Sequence, residues 1–436
     1  MQAPSNRAIR RPALTAAIAT AAALLVTACT TSSSVPSAAQ RTASTTAQAT
    51  QLAAELRITP ADGGKDVNPT SGITVSALDG KVTNVTVKSS DGEPVTGTLA
   101  PDAKSWHSTW TLGVSQTYTV TATGTGTGGQ QVTKTSTFRT LSPARTFETQ
   151  IFEGYHQTYG VGIPIMLTFS QPIVDKAAVE RSMEIATSRP VVGAWYWDGD
   201  EKLYFRPRDY WPANTTVSFT GHLNGVEAAP GLYGAHNLTQ SFDIGRSLIA
   251  VASTNTHYTK IYLDGKLTYN WAISTGRPGL PTPNGTYLTV EKGNPVRMIG
   301  TTADHYDEMV NFAVRFTYSG DYYHSAPWSV GEQGVTNVSH GCVNLSPAHA
   351  ETFYNLAVPG DPITIVDSPQ AGKWDDGWTP WFLTWSQYLH GSALHQAVAA
   401  GPQGSKFVDP SSLPASTATA PLGTSAPGNY NAYAKG

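Results

Sequence analysis

A mainly β chain, built from small sandwiches in tandem, is the fold class that three features of this sequence predict. Short runs alternating β-branched or aromatic residues with polar ones recur along its length, the pattern of strands with one buried face. These runs come at the close spacing of antiparallel sandwiches, with few amphipathic helical stretches between them. Charged residues are only 14% of the 436 positions, while 40 glycines and 29 prolines supply turns. A chain of this length can bury about three cores of ordinary size. Its net charge of −3 lacks the basic footprint of a nucleic-acid binder.

Residues 1–29 read as an export signal. Arg7, Arg10 and Arg11 make a positive start, Ala13 to Val26 an Ala/Leu-rich apolar run, and Val26-Thr27-Ala28-Cys29 a small-residue cleavage site. A cysteine directly after small residues resembles a bacterial lipobox, in which Cys29 becomes the lipidated N-terminus; ordinary cleavage with an incidental Cys29 is the alternative. No later stretch approaches the ~18 apolar residues that span a bilayer. The mature chain is therefore expected outside the cytoplasmic membrane, held by lipid alone. Residues 30–52, rich in Ser, Thr, Ala and Gln, read as a disordered tether.

Residues 53–143 alternate strand-like runs (Ile73-Thr-Val-Ser, Val82-Thr-Asn-Val-Thr-Val, Tyr118-Thr-Val-Thr-Ala, Thr135-Ser-Thr-Phe-Arg-Thr) with turns at Asp62-Gly-Gly and Asp91-Gly. They predict an immunoglobulin-like sandwich without an inter-sheet disulfide. Residues 144–246 repeat the logic through Ile165-Met-Leu-Thr-Phe-Ser, Lys202-Leu-Tyr-Phe-Arg-Pro and Thr216-Val-Ser-Phe-Thr. Ser136-Thr-Phe-Arg and Ser241-Phe-Asp-Ile look like equivalent last strands of two duplicated modules. Trp195, Trp197 and Trp211 are expected in the second core, since they alternate with small residues as inward positions do; a sugar-stacking platform is the weaker reading.

A third domain is expected over 247–368. Leu248-Ile-Ala-Val-Ala and Lys260-Ile-Tyr-Leu-Asp-Gly-Lys-Leu predict a hairpin turning at Asp264-Gly265. Ser346-Pro347 reads as an N-cap with proline at the first helical position, opening a short helix that Pro359-Gly360 stops. Ile363-Thr-Ile-Val is a closing strand. In residues 369–400, Trp374, Trp378, Trp381 and Trp385 recur at helical spacing, with Pro380 inside the run, and are expected to pack back on the third domain. Residues 401–436 read as a disordered tail.

The chemistry concentrates at Cys342, the only thiol besides Cys29. A lone cysteine in an exported chain has no disulfide partner, and a histidine beside it can make it a nucleophile. His324 and His340 are the candidate bases. His340, two positions away, seldom aims its ring at the sulfur, so His324, arriving from a neighbouring strand, is the better base, with the backbone near Ser325 to orient its ring. Gly341 permits a tight turn in which amides of residues 340–342 converge on an oxyanion, and the helix that starts at Ser346-Pro347 adds a dipole close by. Asn344 ties the loop. An inert buried cysteine is the competing reading; a metal site of Cys342, His324 and His340 lacks a fourth ligand at standard spacing.

His324-Ser-Ala-Pro-Trp followed by Ser339-His-Gly-Cys-Val-Asn resembles the active-site signature of the L,D-transpeptidases, and Ile273-Ser-Thr-Gly and Thr282-Pro-Asn-Gly-Thr resemble that family's domain. The layout of lipobox, two immunoglobulin-like modules, catalytic domain and Trp-rich extension is similar to the multidomain actinobacterial members. The resemblance implies a β-rich catalytic domain with its cysteine under a lid at about 296–320. It also implies acyl transfer between peptidoglycan stem peptides through a Cys342 thioester: a tetrapeptide donor, a diaminoacid acceptor and a 3→3 cross-link, with no cofactor or metal. It places Cys342, His324, His340 and Gly341 in catalysis and Tyr306, Met298, Ser325, Trp328, Ser339 and Asn344 at the substrate, with Tyr306 on the lid aiding the oxyanion. Inactivation by β-lactams, carbapenems above all, is implied as well. The same machinery with water as acceptor would be an L,D-carboxypeptidase, and with a protein amine a wall-attachment enzyme; a non-catalytic wall-binding scaffold is the reading from another class.

Overall fold

The computed structural model describes residues 55–300 and 305–414. Cys29, the signal, the whole of the tether, residues 301–304 of the expected lid and the end of the tail lie outside the described residues.

Seven strands form the first sandwich. One sheet runs Leu56–Thr59, Thr74–Ala77, Ser105–Ser108, Gly97–Leu99, and the other Lys81–Ser89, Thr117–Thr125, Gln131–Arg139. Alternation decides what is buried: Tyr118, Val120 and Ala122 point inward against Leu56, Ile58, Val75 and Phe138. The intervening threonines face solvent or neighbouring strands.

The second sandwich has one sheet of Thr158–Tyr159, Leu238–Ile244, Thr215–Gly221 and Met183–Thr187, and another of Val191–Asp198, Lys202–Pro207, Ile165–Phe169 and Thr149–Ile151. Trp195, Trp197 and Trp211 are 1%, 7% and 2% exposed and belong to its core. Burial at that level leaves no ring face for a sugar.

The C-terminal residues differ from expectation. Ala397–Gly401 and Gly404–Val408 form an antiparallel hairpin that joins the end of the Trp-rich extension to the start of the stretch read as a tail from Gly401. The first strand enters the second sandwich between its two sheets, antiparallel to Val191–Asp198 and bridging Ala186 through Gly401. The edges of both sheets present unpaired backbone groups, and a strand with small inward side chains such as Val398 and Ala400 satisfies them. Local Gly/Pro/Ser composition carries no trace of so distant a partner.

Residues 369–400 pack chiefly on this second sandwich and only partly on the third domain. Pro380 opens a 3₁₀ turn, Pro380–Phe382, and a separate helix covers Trp385–His390, so the tryptophans do not form one stripe. Trp381 Nε1 donates to Gly162 O at 2.7 Å, and Arg206 lies between the rings of Trp381 and Tyr388, at 4.3 and 4.4 Å. The buried Glu180 carboxylate accepts from Trp197 Nε1 (2.8 Å), Ser392 Oγ (2.7 Å) and Ala393 N (2.6 Å). Toward the third domain, Phe382 meets Tyr287 edge-on, and Asp376 accepts from Ser319 N and Oγ, both at 2.6 Å.

The third domain has a five-stranded sheet in the order Lys266–Ala272, Tyr258–Leu263, Leu248–Ser253, Pro362–Val366, Gly285–Leu288. A four-stranded sheet runs Glu291–Gly293, Ala313–Arg315, Tyr322–Ser325, Val343–Leu345. Asp264 and Gly265 both take positive φ, 49° and 79°, making the hairpin turn that the sequence predicts. Ser346 caps the helix Pro347–Leu356. Arg246 pairs with the buried Asp361 at 3.0 and 3.1 Å, and Gly160 N and Gly162 N donate to Pro359 O and Gly360 O, fastening this domain to the second sandwich. Among the described residues no helix is long and apolar enough to cross a membrane.

Candidate active site

The strand Tyr322–Ser325 runs parallel to Val343–Leu345, with Tyr323 in register with Val343 and His324 with Asn344. A parallel pair needs a long crossover, and residues 326–342 supply it, starting with a 3₁₀ turn at Pro327–Ser329. Side chains alternate across a strand: Tyr323, Val343 and Leu345 enter the domain core. His324 and Asn344 therefore share the opposite face, and Cys342, two positions before Asn344, falls on it as well. Cys342 packs there with Met298, Val310 and Ala313, beside Tyr306 and Tyr322, and is 8% exposed.

His324 Nδ1 lies 2.9 Å from Ser325 O. A carbonyl only accepts, so Nδ1 carries the proton and Nε2 is left with its lone pair. Burial pushes the imidazole down to about 4, against a smaller upward pull from that carbonyl, so the ring is neutral at physiological pH. Burial, reinforced by the nearby Asp321 charge, pushes the Cys342 thiol up to about 12; the backbone amides of Tyr322 and Cys342 act the other way. Both shifts disfavour a resting thiolate–imidazolium pair. The sulfur's hydrogen bond goes to Gly320 O at 3.8 Å, and among the described residues none joins it to the His324 ring. The site stores a neutral thiol and a neutral base, and the proton must move as the sulfur attacks.

The loop before the cysteine is cross-braced. Ser339 Oγ donates to Cys342 O at 2.6 Å and accepts from Gly341 N at 3.2 Å. Thr282 Oγ1 donates to Gly341 O and accepts from Gly276 N. Asn337 Oδ1 accepts from Thr275 N and Oγ1, at 3.0 and 2.8 Å. Gly341 has φ +137°, a conformation that L side chains rarely adopt, and a Cβ there would collide with Asp321 Oδ1. The Gly341 amide thus serves the Ser339 hydroxyl, which modifies the expectation that three successive amides converge on an oxyanion.

The structure brings Met298 (9% exposed) and Tyr306 against Cys342, and the Tyr306 ring lies 4.5 Å from that of His340. Met298 sits on Val296–Ile299, paired with Asp307–Val310 in the two-stranded lid. Asn344 Nδ2 donates to Ser329 Oγ at 3.0 Å, and Ser325 and Ser339 are buried. Trp328 is 56% exposed, its ring 6.1 Å from His324. Sequence reasoning missed Asp321, whose Ser-Gly-Asp surroundings signal only a turn. It also gave Thr282 no role, treating it as part of a turn-rich run. Among the described residues no group of His, Cys, Asp and Glu is arranged to hold a metal ion.

Comparison with known proteins agrees with this geometry. Residues 64–227 match the bacterial Ig domain family, and residues 247–365 match the L,D-transpeptidase catalytic domain. The chain is 33% identical to L,D-transpeptidase 2 of Mycobacterium tuberculosis over 79% of its own length and 86% of that protein. It is 34% identical to L,D-transpeptidase 5 of the same species over 78% of each. The crystal structure of M. tuberculosis L,D-transpeptidase 3 in complex with a faropenem-derived adduct covers 50% of this chain and 96% of its own, at 31% identity and a TM-score of 0.41. With a Cys–His site on paired strands inside a matched catalytic domain, and relatives of this identity over most of its length, the chain is an enzyme of the L,D-transpeptidase family.

Proposed function

We propose that this enzyme forms 3→3 cross-links between peptidoglycan stem peptides through a Cys342 acyl-enzyme, exported and lipid-anchored at Cys29 so that it faces the wall. The observation that carries the reading is the His324 tautomer: Nδ1–H is committed to Ser325 O, so Nε2 keeps the lone pair of a base on the face of the sheet that Cys342 shares. The Cys342 proton passes to Nε2 as sulfur attacks the carbonyl of the third residue of a tetrapeptide. The C–S bond forms, the amide C–N bond breaks, and the terminal D-Ala amine leaves with the imidazolium proton. The acceptor's side-chain amine then attacks the thioester. Its nitrogen gives a proton to His324, a new C–N bond forms, and the sulfur departs to be reprotonated. Burial of the thiol keeps water from competing until Met298 and Tyr306 admit a substrate. A β-lactam carbonyl presents the same electrophile with a ring nitrogen as leaving group, so carbapenems acylate Cys342.

Purified protein incubated with disaccharide-tetrapeptide tests this by mass spectrometry. A cross-linked dimer with loss of one D-Ala is the expected product. Tripeptide alone would make the enzyme an L,D-carboxypeptidase, and no turnover of this donor would overturn the cross-linking reading. Loss of lipid labelling and release from membranes in Cys29→Ala tests the anchor.

A further inference from the structure

We propose that Asp321 is the acceptor-recognition residue of this active site: its carboxylate, fixed beside the nucleophile, draws in a primary ammonium. The inference rests on the cross-linking reading above. Asp321 lies between Gly320, whose carbonyl receives the Cys342 sulfhydryl, and Tyr322, which packs beside Cys342. Its two oxygens have different surroundings. Oδ2 accepts from Thr317 Oγ1 at 3.2 Å, and that buried hydroxyl also receives Asp321 N (2.7 Å) and Gly320 N (3.2 Å). Oδ1 points at the Cα of Gly341, in space that any side chain at 341 would fill. The ionisable groups around it are Cys342, a neutral thiol at rest, on one side and Asp376, across Ser319, on the other; neither is a cation, and among the described residues no basic side chain pairs with Asp321.

A half-buried carboxylate without a cationic partner, placed where it opposes ionisation of the catalytic thiol, is costly in the resting enzyme. Burial, with Asp376 adding to it, raises this carboxyl to about 6, which still leaves it mostly charged at neutral pH. Acylation attacks an uncharged carbonyl, of a stem peptide or of a β-lactam, and that step draws nothing from the charge. The acceptor of a 3→3 transfer arrives as an ammonium, and an ammonium held at Asp321 stands next to the thioester it must attack. The same cation neutralises the field that disfavours a departing thiolate. His324 then removes the proton as described.

The test separates acylation from acyl transfer in the full-length enzyme. Asp321→Asn keeps the shape and can keep the bond to Thr317. We expect carbapenem acylation to speed up a few-fold, since the charge opposing the thiolate is gone, while KM for a diaminoacid tripeptide acceptor rises about tenfold or more and product shifts from dimer to hydrolysed tripeptide. Asp321→Glu should recover part of the acceptor KM. A hydroxylamine acceptor, neutral at pH 7.5, should deacylate both enzymes at equal rates. An acceptor KM within twofold of wild type overturns the proposal, and so does parallel loss of acylation and transfer, which marks a structural role. Wild-type enzyme that releases only tripeptide at every acceptor concentration overturns the cross-linking reading, and this role with it.

Discussion

Acidification should destabilise the catalytic domain through a single ring. His324 is 3% exposed, and burial pushes its imidazole from 6.5 down to about 4. In the unfolded chain the ring takes up a proton as pH falls through 6.5; in the folded domain it stays neutral until about pH 4. The folded state thus binds fewer protons across that window, and the stability it holds above pH 6.5 is lost as pH falls toward 4. The difference corresponds to about 3 kcal/mol. Asp321 and Asp361, both raised to about 6, act with the opposite sign, and subtracting a variant that retains them cancels their contribution. His324→Gln removes the titrating ring and keeps a donor for Ser325 O. Urea unfolding of both proteins between pH 7.5 and 4, followed by catalytic-domain fluorescence, should show wild type losing about 3 kcal/mol relative to the variant. A stability gap that stays flat across this range would refute a buried, neutral imidazole.

Other changes have separable signatures. Gly341→Ala forces an L residue to φ +137° and drives a methyl into Asp321; it should cost about 1–3 kcal/mol and slow acylation about 100-fold or more with the circular dichroism spectrum retained. Iodoacetamide should label Cys342 in the folded protein about 100-fold or more slowly than in urea at pH 7.5, because burial holds the thiol near 12; equal rates would contradict that. Glu180→Ala strands the Trp197, Ser392 and Ala393 donors in the core, so urea unfolding should report a loss of about 3 kcal/mol and limited proteolysis should cut near residues 392–394.

Where pattern is local, the sequence was informative. Alternation placed the strands of both sandwiches, Asp264-Gly265 marked its hairpin, and Ser346-Pro347 opened a helix at Pro347. The Cys342 signature and its upstream histidine fall at two strands that the structure sets side by side. The rest depends on contacts between residues far apart along the chain. The strand Ala397–Gly401, at the junction of the extension and the tail, leaves no mark in the sequence because its hydrogen-bonding partners are edge strands of a module formed some two hundred residues earlier. The tryptophans of the extension were placed on the third domain because nothing in their spacing records Arg206 or Glu180 waiting in the second sandwich. Asp321 was invisible for the same reason: it matters only because the parallel pairing brings its oxygen to Gly341. The resting charge state also came from burial, which no motif encodes.

Peptide mapping after carbapenem treatment, run on wild type, Cys342→Ala and His324→Ala, addresses the Cys342–His324 assignment most directly. The account predicts one adduct, on the peptide containing Cys342, absent in Cys342→Ala and formed at least ~100-fold more slowly in His324→Ala. An adduct on another residue, or an acylation rate indifferent to the loss of the imidazole, would contradict it.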